Sequence, residues 1–182
     1  MRAQISDALG ASEIVVTNAV IQYAWTTVLE QALHDYESQF RSYVLQNVII
    51  AKAFARPMIE KRWGCIVALN MECAMQNHPL QSAYVSGKRG MNGLLWVLAR
   101  ELGEHQVTVN QIAPGWMISE AVQNAGTEHQ EAYEKQVPLR RRGEDKDVAN
   151  LVAFLASDLA SFITGAYISG SGGNVVPTSC AF

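Results

Sequence analysis

Ser82 to Leu102 reads SAYVSGKRGMNGLLWVLAREL, and the rest of the chain is read outward from it. Tyr84 and Lys88 stand four apart in this stretch. In a helix that spacing puts both side chains on one face, one turn apart. A free phenol titrates near pH ~10 and is a poor proton donor at neutral pH. A neighbouring ammonium favours the phenolate and lowers that value. The pair is therefore a candidate general acid for protonating an alkoxide, or a base for the reverse step. Tyr84, Gly87, Met91, Leu94, Leu95, Leu98 and Leu102 fall on or near one face. Gly87, Gly90 and Gly93 weaken the helix but permit close approach of another helix or a flat ligand. A Tyr and a Lys at this spacing also occur on solvated helices with no function, so the flanking sequence decides.

Upstream, Gly64 punctuates and CIVAL, 65–69, reads as a short strand buried on both faces. Before it, 35–62 carries a long helical pattern, with Phe40, Tyr43, Val44, Val48, Ala51, Phe54, Ala55, Met58 and Ile59 at helical spacing and Pro57 as a kink candidate. Asn47, on its apolar side, reads as a hydrogen-bonded packing residue. EIVVTNA, 13–19, is a further buried strand, preceded by a helix end capped at Gly10. Downstream, VTVNQIA, 107–113, is a third strand broken by Pro114-Gly115, and 116–137 is a polar segment with some helix. A helix over 144–157 begins with Glu144 and Asp147 in its first turn, and TGAYIS, 164–169, is the fourth strand. Strands alternating with helices imply βαβ units: an α/β fold with a truncated Rossmann-like parallel sheet of about four strands and helices on both faces. Ligands of such sheets bind at the carboxyl ends of the strands, where Asn18, the 70–72 stretch and Pro114-Gly115 fall.

The 182 residues, 49% hydrophobic, suit one domain over 1–182. A net charge of −3 excludes a markedly basic nucleic-acid surface. Cys65, Cys73 and Cys180 lack ligand spacing, which points to reduced thiols in the cytoplasm and no metal site. No apolar run is long enough to span a membrane, and no signal core opens the chain.

From about 13 to 173 the chain resembles the later part of a short-chain dehydrogenase/reductase, most closely the 3-oxoacyl-reductase-like branch. TNAV at 17–20 is similar to that family's NNAG turn, and GCIVAL at 64–69 to its central strand. Tyr84-x-x-x-Lys88 matches its signature, VNQIAPGW at 109–116 resembles VNxIxPG, and 137–165 looks like its downstream helix and last strand. The resemblance implies NAD- or NADP-dependent carbonyl reduction or alcohol oxidation. It makes Tyr84 the acid/base and Lys88 both the holder of the nicotinamide ribose and the group that lowers the Tyr84 pKa. Pro114, Gly115, Met117 and Ser119 would line the nicotinamide, Asn18 and Ala19 would approach the adenine-side ribose, and 116–137 would cover the substrate.

Three departures point to weak or impaired activity. The family's opening Gly-rich turn, which seats a pyrophosphate on a helix N-terminus, has no counterpart here. The serine expected thirteen residues before Tyr84 is Met71, whose thioether donates no hydrogen bond. The asparagine of the preceding helix is replaced by Tyr43. The alternative is a non-catalytic relative acting as an assembly or interaction protein. In the family's strand order 13–19 becomes a sheet edge, so a partner or the N-terminal segment is expected to cover it. A homo-oligomer is expected through helices 35–62 and 82–102, with no nucleic-acid or membrane partner.

Overall fold

The computed structural model describes residues 2–118 and 127–176. Ser119 and Cys180, named above, lie outside the described residues. Four strands, β1 (Ile14–Thr17), β2 (Gly64–Leu69), β3 (Val107–Pro114) and β4 (Tyr167–Gly170), form one parallel sheet in the order β1-β2-β3-β4. The helices are α1 (Arg2–Leu9), α2 (Leu33–Phe40), α3 (Gln46–Lys61), α4 (Cys73–Gln76), α5 (Ser82–Gly103), α6 (Thr127–Gln136) and α7 (Asp145–Leu155). The α/β class, the truncated Rossmann-like sheet and the helices on both faces are as the sequence implies.

Alternation along β2 sorts the core. Ile66 and Ala68 join Met58, Tyr43, Tyr84, Met91, Leu95 and Val109 on the side of α3 and α5. Cys65, Val67 and Leu69 join Ile112 and Leu155, with Val148, Leu151 and Val152 of α7, on the other. All six β2 residues are buried, as a strand covered on both faces requires. α7 starts where Glu144 N–H donates to Asp147 Oδ2 at 2.8 Å, which caps its first turn.

β1 differs from the doubly buried strand expected. Val15 packs against the α3/α5 core, but Ile14 and Val16 are 45% and 43% exposed. The reason is position: β1 pairs only with β2, and α7 covers the sheet further along, against β2 and β3. Among the described residues, the N-terminal α1 makes no extensive contact with β1.

The 35–62 pattern also resolves differently in detail. α2 and α3 are joined by a π-helical turn, Arg41–Leu45, in which Gln46 N–H reaches back five residues to Arg41 O. Such a turn inserts one residue and re-aims the side chains around it. Tyr43 sits in it.

Candidate active site

α5 carries Tyr84 and Lys88 inward, to the carboxyl end of β2, where both are buried, at 6% and 3% exposure. The Lys88 ammonium donates to Leu69 O, the last carbonyl of β2, at 2.9 Å. It lies 4.2 Å from the centroid of the Tyr43 ring and 5.8 Å from that of Tyr84, and the two rings meet edge-on at 5.5 Å. Tyr43 therefore supplies an aromatic face for the buried cation.

Tyr43 also closes the site from above. Its hydroxyl donates to Ile21 O at 2.6 Å and accepts from Ile21 N–H at 3.1 Å. Gln39, one turn earlier, donates to the same carbonyl at 3.0 Å. These bonds hold the segment after β1 across Tyr84, whose phenol interacts with the side chains of Gln22 and Tyr43.

Burial dominates the electrostatics. It drives the Tyr84 phenol upward from its ordinary value, with the neighbouring Tyr43 and Cys73 adding to the shift. The resemblance implied the opposite direction; here desolvation sets the sign. Lys88 is pushed down to about 8 by burial, and Tyr43 and Cys73 up to about 12 by the same cause. The Cys73 thiol, which feels the Lys88 charge, is a member of the cluster that no motif announced.

Met71 packs against this cluster, and its carbonyl accepts from Tyr167 Oη at 3.0 Å. Asn70 points elsewhere, as strand alternation implies. Its amide donates to Asn92 Oδ1 and, at 2.9 Å, to Gln111 Oε1. Asn47 is a packing residue: it accepts from Thr17 Oγ1 at 3.0 Å and donates to Tyr43 O at 2.7 Å. Asn18 and Ala19 are exposed just beyond β1, and Met117 bridges to Gly143.

Pro114-Gly115 lies within a second polar group. Glu72 N–H donates to Pro114 O at 2.9 Å, and the Glu72 carboxylate accepts from Tyr133 Oη at 2.7 Å and Asn174 Nδ2 at 3.0 Å. Trp116 N–H donates to the same Tyr133 hydroxyl at 2.7 Å. Glu72 is 4% exposed, and burial raises its pKa against the pull of these bonds. Glu72 and Tyr133 escaped sequence reasoning because the phenol comes from α6, sixty-one residues away. The 70–72 position at a strand end was the one available signal.

In this arrangement the Tyr133 phenol stands directly beside Gly115. A Cβ built on Gly115 would lie 2.5 Å from the Tyr133 hydroxyl and 3.2 Å from Glu72 Oε2, so the space next to it is filled by side chains. Among the described residues no group of His, Cys, Asp or Glu could hold a metal ion, and no helix is long and apolar enough to cross a membrane.

Comparison with known proteins agrees with the fold. Residues 1–174 match the family described as enoyl-(acyl carrier protein) reductase. The 3-oxoacyl-[acyl-carrier-protein] reductase FabG of Aquifex aeolicus is 33% identical over 170 residues, covering 93% of this chain and 68% of that protein. FabG of Staphylococcus epidermidis is 41% identical over 116 residues, 64% of this chain and 48% of the relative. The chain thus spans about half the length of the staphylococcal relatives it matches. Among solved structures, a dehalogenation enzyme superposes with a TM-score of 0.91 at 24% identity, over 96% of this chain and 73% of that one. A halohydrin dehalogenase, HheC, bound to ethyl (2S)-oxiran-2-ylacetate gives 0.89 at 27%, over 99% and 75%. With the parallel sheet and the Tyr84–Lys88 pair in place, the chain belongs to the enoyl-(acyl carrier protein) reductase family, within the short-chain dehydrogenase/reductase superfamily.

Proposed function

We propose that this protein is an oxidoreductase of weak or impaired activity, dependent on NAD or NADP, that reduces a carbonyl or oxidises an alcohol. The observation that carries the reading is the placing of Tyr84 and Lys88 together at the carboxyl end of β2, on one face of α5. Similarity to 3-oxoacyl-[acyl-carrier-protein] reductases supports the reaction class. The impairment is supported by three features of the same site. The segment held by Tyr43 covers Tyr84. A phenol driven upward holds its proton more tightly and is a weaker acid at neutral pH. Met71 offers no hydrogen bond to a substrate carbonyl. The free thiols of Cys65 and Cys73 fit a reducing cytoplasm.

The second reading is a non-catalytic relative that works by assembly, and the uncovered β1 edge favours it. Titration with NADH and NADPH, followed by nicotinamide fluorescence, separates the two. Binding in the millimolar range or tighter is expected; its absence would remove the enzyme and leave the assembly protein. Given binding, Tyr84→Phe should abolish turnover of a test ketone. Met71→Ser should raise it by about tenfold or more, since one donor to a developing oxyanion is worth about 100- to 1,000-fold.

A further inference from the structure

α6 is held at three points, one of them at the carboxyl end of β3. The first is Tyr133, whose hydroxyl takes the Trp116 N–H and gives its own proton to Glu72 Oε1. The others are Gln130 and Glu134, both bonded by Arg142, at 2.9 and 3.1 Å. The Arg142 guanidinium in turn lies 5.6 Å from the Trp116 ring, and that ring meets Tyr133 edge-on at 5.3 Å. The anchor is unusual in its chemistry. The buried Glu72 carboxylate takes hydrogen bonds from a phenol and an amide, and among the described residues no lysine or arginine is bonded to it. A carboxylate so placed is costly unless fully bonded. The clasp therefore depends on Tyr133 remaining seated.

Gly115 shows what the clasp excludes. Tyr133 Oη, Glu72 Oε2 and Ser171 Cα all come within 3.2 Å of where its Cβ would stand. Even a methyl group there would force Tyr133 to move.

We propose that α6 is a self-occluding strap: Tyr133, seated on Glu72, fills the space beside Gly115, and a nicotinamide cofactor must displace this side chain to enter. The inference rests on the NAD(P)-dependent reading above and adds the residue that keeps cofactor binding weak. A site open only a fraction of the time loses apparent affinity by that fraction. Removing the stopper restores it.

The test is NADH and NADPH titration of the full chain and of Tyr133→Ala, by nicotinamide fluorescence. The expected result is a dissociation constant at least about tenfold lower in the variant, which corresponds to a strap open about a tenth of the time or less. Glu72→Gln, which keeps an acceptor for Tyr133, should remain within a few-fold of the unaltered protein. Measurable and equal affinities for the unaltered protein and Tyr133→Ala would overturn the strap while leaving the cofactor reading intact. No binding by either at millimolar cofactor would remove both. Should Tyr133→Ala fail to fold, amide exchange in the unaltered protein decides. Saturating cofactor should speed exchange at the Trp116 amide and through α6, and slower exchange there would overturn the strap.

Discussion

Lys88 holds an amine at 3% exposure with a carbonyl, two aromatic rings and a thiol around it, and with no carboxylate bonded to it. The fold gives up this proton near pH 8, whereas the unfolded chain keeps it to about pH 10.4. Between those values the unfolded state binds more protons, so Lys88 makes stability rise with pH; below about 8 the full cost of burying the charge is present. Lys88→Met, which keeps the volume, should raise stability at pH 7 by roughly 1–3 kcal/mol, less the bond to Leu69 O. The gain should shrink towards pH 10. Urea melts of both proteins at pH 7 and pH 9.5 measure this. Cys73 and Tyr43, pushed up to about 12, act oppositely above pH ~9; the Tyr43 trend is common to both proteins, and Cys73 loses the lowering pull of Lys88 in the variant. The spacing of Tyr84 and Lys88 was enough to place both on one inward face. It could not supply the direction of their shifts, because these come first from burial, which only the folded chain creates by packing Tyr43, Cys73 and their neighbours around them.

α5 and the π-helical turn fit together through Gly87. A Cβ there would meet Tyr43 Cδ2 at 2.8 Å and Gln39 O at 3.1 Å. Alanine is the better helix former by about 1 kcal/mol. Gly87→Ala should nevertheless destabilise the protein by about 1–2 kcal/mol, because a backbone carbonyl and a buried ring must both yield. The same shift should loosen Tyr43 from Ile21, seen as faster exchange at the Ile21 amide. That glycines 87 and 90 admit a close helix was legible in the sequence, and the helix they admit is the 35–62 pattern itself. The π-helical turn within that pattern was not legible. Its one-residue offset leaves apolar spacing nearly unchanged, and Asn47, whose amide bonds Tyr43 O within it, looks like any polar residue on an apolar face. Strands β2 and β3 were read to within a residue, since doubly buried β-branched runs have few other uses.

At the scale of the molecule, two of the surfaces that carry exposed apolar side chains bear on assembly. One is β1, through Ile14 and Val16; the other lies on α2, α3 and α5, through Phe40, Ile49, Trp96 and Val97. We propose that the helices mediate a homo-oligomer and that β1 takes a partner strand. Sedimentation velocity should find an assembly that Trp96→Glu dissociates. Val16→Lys should leave this assembly intact but block any association through the sheet edge. A monomer at tens of micromolar would sink the first proposal. The edge position of β1 was foreseen from strand order, but the exposure of its far face was not, since nothing in IVVT says where α7 will stop.

The strand order has a consequence for how the protein is made. Each strand pairs with its neighbour in sequence, yet Ile14 must wait for Cys65, about fifty residues later. At a synthesis rate of about 5–20 residues per second, β1 emerges from the ribosome several seconds before its partner β2. During that interval the edge that β2 later takes is open, and a chaperone or a neighbouring nascent chain can meet IVVT first. Yield at high expression rates should therefore depend on this four-residue segment more than on any residue near Tyr84.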